Sequence, residues 1–322
     1  MKAILGAMAG AILAIWAMPS PVAAFEGDFD GDGRADLFWH DHANGRNAIW
    51  LSANPATPRV VAAVSNLDWN MVGIGDFDGD GRSDLLWRNY ASGGNAIWRS
   101  ADASTQISIV GVAGGYAWLV EAIGDFDGDG RDDLFWRNIT TGMNTIWRSA
   151  SSATQVLTPP VSTAWAVAGA GDFNGDGRAD VFWRNTSTGA NTIWLSGNAA
   201  TEQAVSSADV GWWVAGIGDF NADGRADLLW RNWQYGANGL WLSADSARRV
   251  ALSRVEDQMW EVGQVADYDG DGRSDVFWRH WERGWNAIWR PGISSYNLPV
   301  VARGSWIVNP QNYEDNPFWW WW

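Results

Sequence analysis

The chain has 322 residues, 47% of them hydrophobic, and a formal net charge of -15. It contains no Cys, so disulfides and thiolate metal sites are excluded, and its three His residues leave little room for imidazole chemistry. Of the 37 acidic residues, 22 are aspartates at four repeated positions of six short strings, so fewer acids than the 22 basic residues remain elsewhere. The acidity is therefore local, and with no basic domain or basic run a nucleic-acid partner is not indicated.

In chain order, residues 1–24 read as a secretory signal. Lys2 precedes a short apolar run, followed by Pro19, Pro21 and the small residues Val22, Ala23 and Ala24. No later segment is apolar enough for a membrane span, so the mature chain is expected to be secreted, periplasmic or on the cell surface. Residues 25–313 then repeat one unit six times, and residues 314–322 form an aromatic tail ending FWWWW.

The six units start at Asp28, Asp76, Asp125, Asp172, Asp219 and Asp267, at steps of 48, 49, 47, 47 and 48 residues. A period of that size points to a solenoid, propeller or array. Each unit carries three Trp residues at fixed places, represented in the second unit by Trp87, Trp98 and Trp118. The runs DLLWRN (84–89), NAIWRS (95–100), QISIV (106–110) and WLVEAIGDF (118–126) have strand composition and turn signals between them. Four short strands per unit match one blade of a β-propeller. The third Trp comes seven residues before the next acidic string in five units, but nothing comparable precedes Asp28. Trp306 follows the last unit instead. The expected fold is all-β: a six-bladed β-propeller of four-stranded blades, closed by the C-terminal strand around Trp306, with a calcium-binding loop in each blade.

The acidic string reads Asp-x-[Asp/Asn]-x-Asp-Gly-x-x-Asp, with oxygen donors at positions 1, 3, 5 and 9 and Gly at 6 for a sharp turn. The candidate ligands are Asp28, Asp30, Asp32 and Asp36; Asp76, Asp78, Asp80 and Asp84; and Asp125, Asp127, Asp129 and Asp133. In the last three copies they are Asp172, Asn174, Asp176 and Asp180; Asp219, Asn221, Asp223 and Asp227; and Asp267, Asp269, Asp271 and Asp275. Position 7 offers a backbone carbonyl: Arg34, Arg82, Arg131, Arg178, Arg225 and Arg273. An EF-hand needs an acid at position 12, and all six copies have Trp there. Flexible multidentate oxygen loops suit Ca²⁺ better than Mg²⁺, so about six Ca²⁺ ions are expected, with the position-7 Arg side chains stacking on Trp or pairing with ligand carboxylates.

The string GDFDGDGRSDLLW (75–87) and its five relatives resemble the FG-GAP/VCBS-type repeat, over about residues 25–313. That repeat forms the propeller head of integrin α chains, bacterial secreted proteins and a fungal lectin, and the resemblance implies that the acidic loop joins the first two strands of a blade and binds Ca²⁺. The Phe-Gly and Gly-Ala-Pro tripeptides of the family are missing here. The hairpin tips vary between units and place Tyr90, Trp233, Tyr235, Trp281 and Trp285 as expected exposed stacking residues for a glycan. No HExxH, GxSxG or nucleophile–His–acid pattern is present. The expectation is a secreted, non-enzymatic, calcium-binding adhesion or carbohydrate-binding module whose partner is a glycan or an extracellular protein. A polysaccharide-active enzyme and a structural cell-surface scaffold are the alternatives.

Overall fold

The computed structural model describes residues 27–56, 58–112, 115–290, 296–298 and 306–308. The segment 1–24 and the tail 314–322 lie outside the described residues. The strands form six four-stranded antiparallel sheets. Blade 2 shows the pattern: Trp69–Gly75, Asp84–Asn89, Asn95–Trp98 and Ile107–Ile109, paired in that order. Blades 3 to 5 repeat it from Trp118, Trp165 and Trp212, and blade 6 runs from Trp260 to Leu298. Blade 1 takes its first strand from the other end of the chain. Trp306–Val308 pairs with Leu37–Asp41, with Trp306 opposite Asp41 and Val308 opposite Trp39. Closure by the C-terminal strand is thus observed. Among the described residues no helix is long and apolar enough to cross a membrane.

Second strands are buried on both faces, because each face packs against a different blade. Leu37 and Trp39 belong to the cluster shared with blade 6, whereas Phe38 belongs to the cluster shared with blade 2. The period-2 geometry of a strand sends alternate residues to opposite neighbours, so the run must be apolar throughout. At the interface, Phe38 meets Trp87 edge-on with ring centroids 6.2 Å apart, Phe135 meets Trp183 at 5.8 Å, and Phe277 meets Trp39 at 6.2 Å. The second Trp of each unit packs on the first, as in Trp87–Trp98 at 5.0 Å.

The first strands line the inner side of the ring, and five of them carry a β-bulge, between Met71 and Gly73 in blade 2 and between Val214 and Gly216 in blade 5. Gly73 is required by close approach: a Cβ there would lie 2.1 Å from Ile123 Cδ1 of the next blade.

The residue after the first Trp is Arg in five units, and it carries a cation into the blade interface. Arg184 stacks over Trp230 of the next blade, 5.0 Å from the ring centroid. Its Nη1 donates to Gly189 O and Asn191 Oδ1, and its Nη2 donates to the carbonyls of Ala208, Asp209 and Trp212. Burial pulls its pKa down to about 10, which leaves it charged at neutral pH. Arg88, Arg137, Arg231 and Arg279 stand over Trp136, Trp183, Trp278 and Trp39 in the same way. Blade 1 has His40 there instead, edge-on to Trp87 at 5.5 Å.

Between the third and fourth strands the chain makes short 3-10 turns, such as Arg99–Ala101 and Ala103–Thr105. The NAIWRS expectation of a strand to residue 100 is therefore too long by two residues, since the strand ends at Trp98. Ser100 and Ala101 are left-handed, with φ of 48° and 56°. Left-handed backbone costs a non-Gly residue roughly 1–2 kcal/mol. The Ser100 N–H compensates by donating to Asp84 at 2.8 Å.

Replacing Arg184 by Ala strands five acceptors and uncovers Trp230. We expect a loss of about 3–5 kcal/mol, seen as a lower urea midpoint. The exposed Arg178→Ala should change stability by less than about 0.5 kcal/mol in the same experiment.

Candidate functional site

In blades 2 to 6 the acidic string forms the loop between the first and second strands, and in blade 1 it leads into the second strand, Leu37–Asp41. Position 1 organises the turn: Asp76 Oδ1 accepts from Gly79 N at 2.7 Å and Oδ2 from Gly81 N at 2.8 Å. Gly81, at position 6, has φ of +81°, the conformation that makes Gly necessary there. Position 9 faces inward. Asp84 Oδ2 accepts from Phe77 N and Oδ1 from Ser100 N, which ties the loop to the left-handed turn after the third strand. Burial pushes the position-9 carboxyls up to about 7 at Asp36, Asp84, Asp133 and Asp275, and to about 6 at Asp180 and Asp227.

The donor set fits a hard divalent cation. In four loops three carboxylate oxygens converge within 4.8 Å of one another: Asp28, Asp30 and Asp32; Asp76, Asp78 and Asp84; Asp125, Asp127 and Asp133; Asp267, Asp269 and Asp271. Loops 4 and 5 carry Asn174 and Asn221 at position 3, whose amide oxygens accept from the N–H of Asp176 and Asp223. The buried position-9 acids add a desolvated oxygen that a nearby positive charge would hold ionised.

Adjacent loops are also joined directly. The position-8 N–H of each loop donates to the position-1 carbonyl of the previous one: Ser83 to Asp28, Asp132 to Asp76, Ala179 to Asp125, Ala226 to Asp172, Ser274 to Asp219 and Ala35 to Asp267. The six bonds make a closed ring. The position-7 arginines lie alongside the preceding loop, so that a Cβ on Gly31 would come within 3.2 Å of Arg82 Cγ. Arg82 pairs with Asp80 at 2.6 Å, as expected of a ligand-carboxylate partner. Stacking on Trp falls instead to the second-strand arginines.

Grooves open between neighbouring blades beside these loops. One of about 500 Å³ is lined by Asp78, Arg99, Ile107 to Val110, Arg131 and Ser149 to Ser152. A second of about 490 Å³ is lined by Asp30, Arg59, Arg82 and Ser100 to Ala103, and a third of about 270 Å³ by Asn174, Gln203 to Ser206 and Ser243 to Ser246. The same structural positions build all three: position 3 of one loop, the fourth strand of that blade, and the left-handed turn of the next.

Four overlapping stretches, residues 28–87, 76–136, 125–183 and 172–230, match the FG-GAP-like repeat. The chain belongs to this family. No curated protein matches it in sequence. Among solved structures, a lectin of Agrocybe aegerita that recognises non-reducing terminal N-acetylglucosamine is similar at 16% identity and a TM-score of 0.55, over 84% of this chain and 78% of the lectin chain. A chain of the nidogen/laminin complex is similar at 13% identity and 0.52, over 81% and 92%. Virginiamycin B lyase from Staphylococcus aureus is similar at 8% identity and 0.51, over 88% and 86%. At these identities the likeness is one of fold.

The hairpin tips of this FG-GAP propeller lie at the opposite ends of the second strands from the acidic loops. Tyr90 is not an exposed stacking residue: it is 8% exposed, stacked on Tyr116 at 4.3 Å and beneath the Arg88 guanidinium. Trp281 is half-buried and donates its indole N–H to Glu261. Trp285 is 44% exposed, yet Arg283 stands 4.7 Å over its ring. Trp233 and Tyr235 are likewise open to solvent, at 42% and 57% exposed. The grooves escaped the sequence reading because they belong to pairs of blades. The spacing of Asp78 to Ser151 carries no local signal.

The three His residues sit at the tips of blades 6 and 1. His280 Nδ1 accepts from Arg283 N and its Nε2 faces Asp257 at 3.1 Å. His40 Nδ1 is 2.6 Å from Asn47 Oδ1. Burial, followed by the neighbouring His40, lowers the His42 pKa to about 4. A His whose folded pKa lies below its unfolded value near 6.5 stays neutral in the native state while the unfolded chain takes up a proton. Its contribution to stability is therefore complete above pH 6.5 and lost as pH falls toward 4. We expect His42→Tyr, the residue at this place in blade 2, to regain about 1–2 kcal/mol relative to wild type at pH 5 compared with pH 7.5, read from urea midpoints.

Proposed function

We propose that this protein is a secreted, non-enzymatic binding propeller, pinned by calcium and presenting its inter-blade grooves to glycans. The observation that carries the reading is the recurrence of one groove, built from equivalent residues, at three blade interfaces. A recurring site favours multivalent binding, in which weak contacts on one particle add by effective concentration. The lining mixes Asp and Arg side chains, serine hydroxyls and an apolar floor of Phe77, Ile97 and Ile109, which suits a polyhydroxylated ring. The similar lectin recognises a sugar, which supports the same ligand class here. Trp233 and Tyr235 offer a further contact surface at the tips. The ring nitrogens of His280 are both engaged within the fold, which favours binding over proton-transfer chemistry.

Calcium is the ion proposed for the loops. Asp28 to Asp36 and their counterparts would supply side-chain oxygens, and Arg34 and its counterparts a backbone carbonyl. Because loop and groove share Asp30, Asp78 or Asn174, an ion that orders the loop also shapes the groove wall. Extracellular sites of this kind have dissociation constants of about 10⁻⁴–10⁻³ M. At roughly millimolar calcium each contributes about 0.4–1.4 kcal/mol, or about 2–8 kcal/mol over six.

Two measurements test this. Chelation should lower the melting temperature by about 5–15 °C, restored by added Ca²⁺; identical melting in chelator and calcium would remove the structural role of the ion. A glycan array probed with the calcium-loaded protein should retain signal that chelator abolishes. An array without signal defeats the glycan assignment, and turnover of a polysaccharide defeats the non-enzymatic one.

A further inference from the structure

The residue after the second Trp of each unit varies together with position 3 of the acidic loop. Where position 3 is Asp78, Asp127 or Asp269, that residue is Arg99, Arg148 or Arg290. Where position 3 is Asn174 or Asn221, it is Leu195 or Leu242. The arginines reach their acids: Nε lies 2.9 Å from Asp78 Oδ2, 3.2 Å from Asp127 Oδ2 and 3.1 Å from Asp269 Oδ2. In each case Oδ1 accepts the position-5 N–H. In the Asn loops the amide oxygen accepts that same N–H, and the amide nitrogen donates to the position-5 carboxylate at 3.0 and 3.2 Å. The atom that would add a second negative oxygen is either held by a guanidinium or replaced by an N–H donor.

Loop 1 breaks the pattern. It has Asp30 at position 3 but Leu51 after the Trp. Among the described residues no Arg forms an ion pair with Asp30; Arg59 acts on it only through its field, and its Nη2 donates to Ser100 O at 2.7 Å. Loop 5 lies at the other extreme, because Arg248 also contacts Asp223 at 3.4 Å. The position-7 Arg is common to all six loops, and the one ion pair it forms among the described residues, Arg82 with Asp80, lies within loop 2.

Resting on the calcium reading above, we propose that the residue after the second Trp sets the charge of its cation loop, so that loop 1, with an uncompensated third carboxylate, binds a divalent cation most tightly and fills first. Loop 1 leads into Leu37–Asp41, the strand that pairs with Trp306–Val308. The first ion bound therefore lands on the blade that joins the two ends of the chain.

The test is a Ca²⁺ titration of the chelator-dialysed full chain, with ions counted by native mass spectrometry and affinities read by calorimetry. One tight step should precede the others. Leu51→Arg should weaken that step roughly three- to tenfold, the effect of one unit charge near a divalent ion in a solvent-exposed loop, and Asp30→Asn should do the same should Leu51→Arg fail to fold. Arg99→Leu should create a second tight step. Indistinguishable steps in the wild type, or a tight step unmoved by both loop-1 variants, overturn the proposal while leaving calcium binding intact. A wild type that takes up no Ca²⁺ in either measurement overturns the calcium reading and this proposal together.

Discussion

Each blade interface but one holds a buried guanidinium between the sheet that carries it and the Trp of the next blade. Arg184 shows why so much depends on it. The chain leaving the fourth strand must cross to the next blade, and in doing so it turns the carbonyls of Ala208, Asp209 and Trp212 inward. Unmet carbonyls at a buried crossing are costly. A planar cation with five donors meets them in one step and lays its face on Trp230. Blade-to-blade spacing, the direction of each crossing and the orientation of the first Trp are thereby fixed together. The Phe–Trp edge contacts then fill the interface.

The acidic loops secure the other end of the same strands. Their position-8 to position-1 hydrogen bonds run around the ring without interruption, and their position-9 carboxylates hold the left-handed turns after the third strands. This backbone framework explains why the aspartates recur with such regularity: positions 1 and 9 have bonds to make before any ion arrives. Positions 3 and 5 are different. They lie toward solvent, make mostly local bonds, and tolerate an amide at Asn174 and Asn221. Their carboxylates are better explained by the proposed calcium than by the fold.

Much of this was legible because six copies of one unit stand in a single chain. The period, the strand runs and the stray Trp306 together specify the blades and their closure, and all three express contacts that are either local or repeated. The 3-10 turns were not legible. Ser100 and Ala101 adopt left-handed backbone without a Gly to announce it, and the reason is an acceptor, Asp84, sixteen residues earlier. Tyr90 was misread because tip residues look alike in sequence. Its burial depends on Tyr116, which lies in the crossing to the next blade. The Arg99–Asp78 pairing was present in the text of the repeat, but only the structure shows that the two residues meet.

Blade 1 departs from the other five in its strand order, its interface residue and its hairpin tip. Its sheet combines Trp306–Val308 with strands from the start of the chain, so it has no covalent link between first and second strands through its own loop. At the interface His40 stands where the other blades have Arg, and it offers fewer donors to the crossing carbonyls. At the tip His42 and Asp41 replace the Tyr and Asn of blade 2. These changes fall at the interface with blade 2, where His40 meets Trp87 and His42 packs on His40. On the loop side, Asp30 has no Arg ion-pair partner among the described residues, and Ala35 ties loop 1 to loop 6 through Asp267 as the equivalent residue does at every other interface. On the calcium reading proposed above, loss of the ion from loop 1 would be felt first in the blade that combines Trp306–Val308 with Leu37–Asp41.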